Sequence, residues 1–243
     1  MRASATPGQG RRIAVFPGAF RPPHVNHHAT AMELLERDDV DELVIVVSGR
    51  HRGVPGTTKV LGPEPAARVW DRYLGDRPDV RIEIAEMSAV GRALDLVQQA
   101  RPGERILLCV GIKDFHGGDG RFKKLAERRL ADGVEVQVVS GAPDVRDVSG
   151  TALRAAMGAG PEGRDAFLAA LPSHLDREER IEVWELCRAA MVEQRDVLLA
   201  SVRSAVESSV GPVRSLHVAP GSGADAAVRV ELEDGRTLDV KHA

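Results

Sequence analysis

The chain has 243 residues, enough for one full α/β domain plus an extension, or for two small domains. Its 43% hydrophobic content supplies a sizeable core, while a net charge of -3 and 3% aromatic residues argue against a nucleic-acid-binding surface. No apolar run reaches membrane-spanning length, the start "MRASATPGQGRR" lacks a signal-peptide core, and Cys109 and Cys187 stand far apart in apolar surroundings, so a reduced cytoplasmic protein is expected.

Residues 1–11 read as a disordered tail. Strands are expected at 12–18, 42–49, 80–87, 105–111 and 134–141, most of them apolar on both faces as buried parallel strands are. Helices are expected between them at 25–37, 63–74, 88–101 and 119–132, with Ser88 capping the third. This alternation predicts right-handed βαβ units and a doubly wound, parallel five-stranded sheet over 12–160. Residues 161–243 read as an extension. It begins with the short helix "RDAFLAALPSHL", continues as one long or two broken helices over 176–209, and ends in a small antiparallel β unit with a turn at "EDGR". An oligomerisation unit, a lid and an acceptor selector are all compatible with this extension.

Ligands bind such sheets outside the carboxyl ends of the strands, which directs attention to the loops there. The first is "VFPGAFRPPHVNHHA". Pro17, Gly18, Ala19 and Phe20 form a tight turn in which Gly18 lets a ligand approach the backbone. Pro22 and Pro23 stiffen the loop. His24 and His27 then stand one turn apart on one face at a helix start, where free N–H groups and the helix dipole attract anions. Two imidazoles there suit charge developing on a phosphate. His28 points off that face, and no third ligand has spacing suited to zinc.

The loop "GAFRPPHVNH" resembles the G-x-F-x-P-x-H-x-G-H motif of the nucleotidyltransferase superfamily, which includes nicotinamide mononucleotide and phosphopantetheine adenylyltransferases and small cytidylyltransferases. The resemblance covers residues 11–160 and implies a Rossmann-like sheet. It also implies transfer of a nucleoside monophosphate from ATP or CTP to a phosphate-type acceptor, with release of pyrophosphate. Asn26 stands where the family pattern usually has glycine, and is expected either to crowd the nucleotide or to contact it.

A second motif, "VRDVSGTALRAAM", follows the fifth strand and opens a helix. Ser149, Gly150 and Thr151 lie at its N-terminus, suited to phosphate oxygens, and Arg154 lies on the same face, able to grip a phosphate bidentately. The segment is similar to the superfamily's I-S-x-T-x-[IL]-R signature, in the form closer to adenylyltransferases, so ATP is favoured over CTP. After the fourth strand, Gly111 opens a loop in which Lys113 can neutralise phosphate charge and Asp114 can orient an acceptor or a hydrated Mg²⁺. Arg50, Arg52 and Lys59 form a basic rim suited to the acceptor. The expected reaction needs an acceptor bearing a phosphate or phosphonate, and Mg²⁺ bridging phosphates rather than caged by side chains. A nucleotide-binding regulator with lost activity, suggested by Asn26, is the competing expectation.

Overall fold

A computed structural model describes residues 10–111, 133–218 and 227–241. The elements expected at 119–132, together with Lys113 and Asp114, lie outside the described residues. The remaining described elements follow the expected order. The parallel strands are β1 (Arg12–Gly18), β2 (Glu42–Val47), β5 (Val80–Ile84), β6 (Arg105–Val110) and β7 (Glu135–Ser140). The short strands β3 (Arg52–Gly53) and β4 (Lys59–Leu61) fall between β2 and β5. Helices α1 (Val25–Glu36), α2 (Glu64–Leu74) and α3 (Ala89–Gln98) occupy the intervening segments. Ser88 caps α3 as expected, its Oγ accepting the Gly91 N–H at 3.4 Å.

The five strands order as β5-β2-β1-β6-β7, every neighbouring pair parallel. The chain winds outward from β1 through β2 to β5, then crosses to β6 on the other side of β1. The direction therefore switches between β1 and β6, and a crevice opens beyond their carboxyl ends. Strand alternation places the side chains on two faces. Phe16, Leu43, Ile45, Leu107 and Cys109 join the core under α1 and α2. Val15, Val44, Val46, Ile106 and Leu108 join the core under α3. This double burial explains why "ELVIVV" reads as one unbroken apolar run.

The chain divides into two compact units, the first running to Met191 apart from residues 58–60. The expected boundary at 160 falls short of this. The helices that follow α4 (Gly150–Gly158), namely α5 (Arg164–Ala169) and α6 (Arg177–Ala189), send Phe167, Val183, Trp184 and Cys187 into the same buried cluster as Leu43 and Ile45. They complete the sheet's core. They also brace the start of α1, because the Val25 N–H donates to Ala170 O at 3.0 Å.

In the second unit, α7 (Gln194–Ser209) packs Val202 and Val206 on a three-stranded antiparallel sheet, β9 (Val213–Val218), β10 (Ala227–Leu232) and β11 (Thr237–Lys241). The turn at 233–236 joins β10 to β11 as its sequence predicts, with Gly235 at φ 86°. Of the two expectations for 176–209, the broken one holds, since the strand β8 (Met191–Glu193) separates α6 from α7. Among the described residues no helix is long and apolar enough to cross a membrane.

Candidate active site

The site is built where β1 ends. Phe20 adopts φ 50°, a left-handed conformation that turns its ring back over Gly18. A Cβ on Gly18 would lie 2.5 Å from Phe20 Cζ, so glycine is required there by the aromatic ring that covers it. That ring packs edge-on against Phe16, His27 and Trp70. Arg21 follows, 1% exposed, with its two terminal nitrogens donating to Ala19 O and Ser48 O. It ties the turn after β1 to the end of β2. Its buried Nε has no hydrogen-bond partner among the described residues.

His24 caps α1 from an extended backbone, and its ring stacks on His27 with centroids 3.7 Å apart. The His24 N–H donates to His27 Nδ1 at 3.3 Å. An imidazole nitrogen that accepts carries no proton, so neutral His27 has its hydrogen on Nε2. His24 Nδ1 is buried without a partner among the described residues. Burial lowers the His24 pKa to about 4, partly opposed by Asp144. Burial, reinforced by His24, holds His27 well below the ordinary imidazole range. Both rings are therefore neutral hydrogen-bonding groups at neutral pH in the free protein. His28 stands apart from the pair, stacked on His174 at 4.5 Å.

The same burial fixes a pH dependence of stability. Unfolded His24 takes up a proton as pH falls through about 6.5, whereas folded His24 resists until about 4. Protonation thus favours the unfolded chain in that window. Stability is expected to be full at pH 7 and to fall towards pH 4, by about 2 kcal/mol at pH 5 from this residue. Urea denaturation at pH 7 and pH 5 checks this, and His24→Asn should shrink the difference by that amount. An unchanged difference would refute the assignment.

Asn26 is 5% exposed and lies along the cavity. Its Nδ2 donates to Asp144 Oδ1 at 3.1 Å and to Arg146 O at 2.8 Å. Its Oδ1 accepts the N–H groups of Val145 at 3.0 Å and Arg146 at 3.1 Å. The amide's hydrogen-bonding capacity is thus engaged by the loop after β7 rather than held out for a nucleotide. This bears on the expectation that Asn26 contacts the nucleotide through its amide, while its place along the cavity leaves the expected crowding as it stood. One turn further on, Thr30 Oγ1 accepts the Ala142 N–H at 3.1 Å.

Two adjoining cavities open above the strand ends, sharing Pro17, Gly18, Ala19 and Gly111. One, of about 400 Å³, is lined by His24, His27, Phe20, Asp144, Ser149 and Gly150 among others. The other, of about 330 Å³, is lined by Ser48, Arg50, Arg52 and the Ser88–Val90 start of α3. Ser149 caps α4 by accepting the Ala152 N–H at 3.2 Å. Arg154 donates to Gly53 O at 2.9 Å, Arg21 O at 3.0 Å and Thr151 Oγ1 at 3.1 Å. Thr151 and Arg154 therefore engage each other at the edge of the site, and neither lines these cavities. Burial and then Arg52 lower the Arg154 pKa. The same two causes lower Arg21 to about 10, with Glu64 opposing. Cations that depress one another in this way mark a local excess of positive charge, which favours anions. Lys59 belongs to the second unit and is not among the residues the first unit gathers here.

Sequence reasoning missed Arg21, Asp144 and Thr30. A charged residue locked between Phe20 and Pro22 in a buried turn was the available signal for Arg21. Thr30 is the i+4 partner of Asn26 on the same helix face. Asp144 sits in a polar loop with no pattern of its own.

The parallel α/β sheet thus carries its paired histidines beside the switch point, where such folds bind ligands. No family model matches the chain. Over 84 residues it is 34% identical to a probable nicotinate-nucleotide adenylyltransferase of Albidiferax ferrireducens, covering 33% of this chain and 40% of that protein. A solved structure, Thermotoga maritima TmcAL bound with alpha-thio ATP, matches with a TM-score of 0.45 at 14% identity, over 81% of this chain and 61% of the other. The chain thus spans less than two thirds of the length of either.

Proposed function

We propose that this chain transfers a nucleoside monophosphate, with AMP from ATP favoured, to a small molecule bearing a phosphate or phosphonate. The reading rests above all on the stacked His24–His27 pair, whose His27 Nε2 carries a proton within a cavity that also meets the helix start at Ser149 and Gly150. An acceptor oxygen would attack the α-phosphorus in line. The new P–O bond forms as the α–β bridging P–O bond breaks, and the electron pair leaves with pyrophosphate. The acceptor is already anionic near neutral pH, so positioning and charge stabilisation suffice. The imidazoles would donate to the α-phosphate oxygens as charge builds there. The N–H groups at Ser149 and Gly150 would hold the β- and γ-phosphates. Arg154, held by backbone carbonyls and Thr151 in the free protein, would exchange those partners for phosphate oxygens.

The second cavity suits the acceptor. Arg50, Arg52 and the α3 start supply charge and N–H groups, and the shared residues Pro17–Ala19 place it beside the first cavity. The described residues contain no group of three metal-ligating side chains. The accompanying Mg²⁺ would sit on phosphate oxygens, where it supplies charge neutralisation. Pyrophosphate release, measured with each of four nucleoside triphosphates against a panel of phosphate and phosphonate acceptors, tests the reading. ATP with at least one acceptor is expected to react. Release with CTP alone would make this a cytidylyltransferase, and ATP binding without release would make it a regulator.

A further inference from the structure

The loop joining β7 to α4 carries the phosphate-binding helix start proposed above, yet residues 143–147 are exposed. Such a loop would ordinarily sample many conformations and order only on binding. Here it is tied down from one helix at two points. Thr30 Oγ1 holds Ala142, and a Cβ on the adjoining Gly141 would lie 2.9 Å from the same oxygen, so the backbone is pressed against α1. Four residues earlier on α1, and therefore on the same face, Asn26 makes its four hydrogen bonds to residues 144–146. Both oxygen contacts are with N–H donors and both nitrogen contacts are with oxygen acceptors. Exchanging the amide's two ends would set donor against donor and acceptor against acceptor, so the orientation is determined by the loop backbone. The residue is buried, so loss of these bonds leaves the loop's polar groups without equivalent partners on α1.

We propose that Asn26 is a positioning residue, which fixes the loop and the Ser149 helix start at a set distance from His24 and His27 before any ligand arrives. The helix that bears the histidines would thereby carry the second phosphate-binding element with it. The catalytic part of this proposal rests on the nucleotidyltransferase reading, whereas the structural part does not. A chain with glycine at 26 would lose the clamp and would have to order the loop at each binding event. Its apparent affinity for the triphosphate would then fall by the fraction of time the loop is in place.

The test compares the full-length protein with Asn26→Gly, which removes all four bonds, and Asn26→Asp, which keeps the two accepted bonds and sets a carboxylate against Asp144. Amide exchange of the free proteins is measured first. Faster exchange confined to 142–148 is expected in both variants, with Gly above Asp and with β1 and β6 unchanged. Wild-type exchange there would overturn the proposal. Steady-state pyrophosphate release comes second. The KM for the triphosphate should rise about tenfold in Asn26→Gly, while the KM for the acceptor stays the same. A uniform fall in kcat with both KM values unchanged would assign Asn26 a merely structural role and overturn the positioning claim. If the wild-type protein transfers no nucleotide at all, the functional reading fails, and amide exchange still decides whether the clamp exists.

Discussion

Replacing His27 with alanine is expected to lower turnover about 10²–10³-fold, the usual cost of losing one donor aimed at developing charge. The mechanism of the loss is separable from structure. His27 would have two jobs, because its Nδ1 accepts the His24 N–H while, on the proposed mechanism, its Nε2–H donates to the α-phosphate. Asparagine offers an oxygen close to where Nδ1 sits and nothing where Nε2 sits. His27→Asn should therefore keep the helix cap and melt above His27→Ala, both below wild type for want of the ring packed on Phe20 and His24, yet lose as much turnover as His27→Ala. Steady-state pyrophosphate release and thermal unfolding measure the two consequences. Turnover of His27→Asn within threefold of wild type would remove Nε2 from the chemistry. His24→Ala should cost a similar factor, and the double variant little more than either single, since the stacked rings are proposed to act on one group.

The doubly wound sheet was legible in the sequence because each strand is an apolar run bounded by turn residues, with a helical period between runs. The two segments expected to bind phosphate were legible as loops for a related reason, since each lies at the end of a strand and the start of a helix. The edges of the domain were not legible. Helices α5 and α6 look like any amphipathic helices, and nothing local reveals that Phe167 and Trp184 pack together, ring centroids 5.1 Å apart, within the core of the sheet. Asn26 shows the same limit from the other side. A polar residue where a family has glycine looks like an obstacle to a ligand when seen alone. Its partners, Asp144 to Arg146, lie about 120 residues away and become visible when the sheet brings β1 and β7 to opposite sides of β6.

The placing of the histidines thus rests on long-range supports rather than on the motif alone. Tyr73 donates its hydroxyl to Pro23 O at 3.0 Å, fixing the loop just ahead of His24 from α2. Ala170 takes the first N–H of α1, one of the groups that sequence reasoning left free for an anion. With that N–H engaged, the proposed anion site would rest less on the α1 terminus than on the imidazoles, the Ser149 helix start and the nearby guanidinium groups. On the proposed function, this division would put neutral, fixed donors at the α-phosphate and charged groups further out, where a triphosphate carries more charge.

Gly18→Ala is expected to destabilise the protein by about 1–3 kcal/mol, the range for overpacking a filled core. It should also lower turnover beyond what that loss explains. The added methyl would meet the Phe20 ring at 2.5 Å. A ring tip could swing away if it had space, but Phe20 is 3% exposed and boxed by Phe16 at 5.0 Å, His27 at 4.9 Å and Trp70 at 5.2 Å. Any displacement is therefore passed to His27, the ring proposed to donate to the α-phosphate. Urea denaturation gives the stability change, and pyrophosphate release by the folded variant gives the effect on the site. The cause can be isolated with Phe20→Leu, which removes the tip that the methyl strikes. Phe20→Leu alone should cost stability by leaving a cavity, yet Gly18→Ala should cost less in that background than in the wild type, by at least about 0.5 kcal/mol. Strict additivity of the two substitutions would mean that the ring does not enforce the glycine. The alternative cause would then lie in the backbone between β1 and β2, where Ser48 donates its N–H to Gly18 O at 2.9 Å.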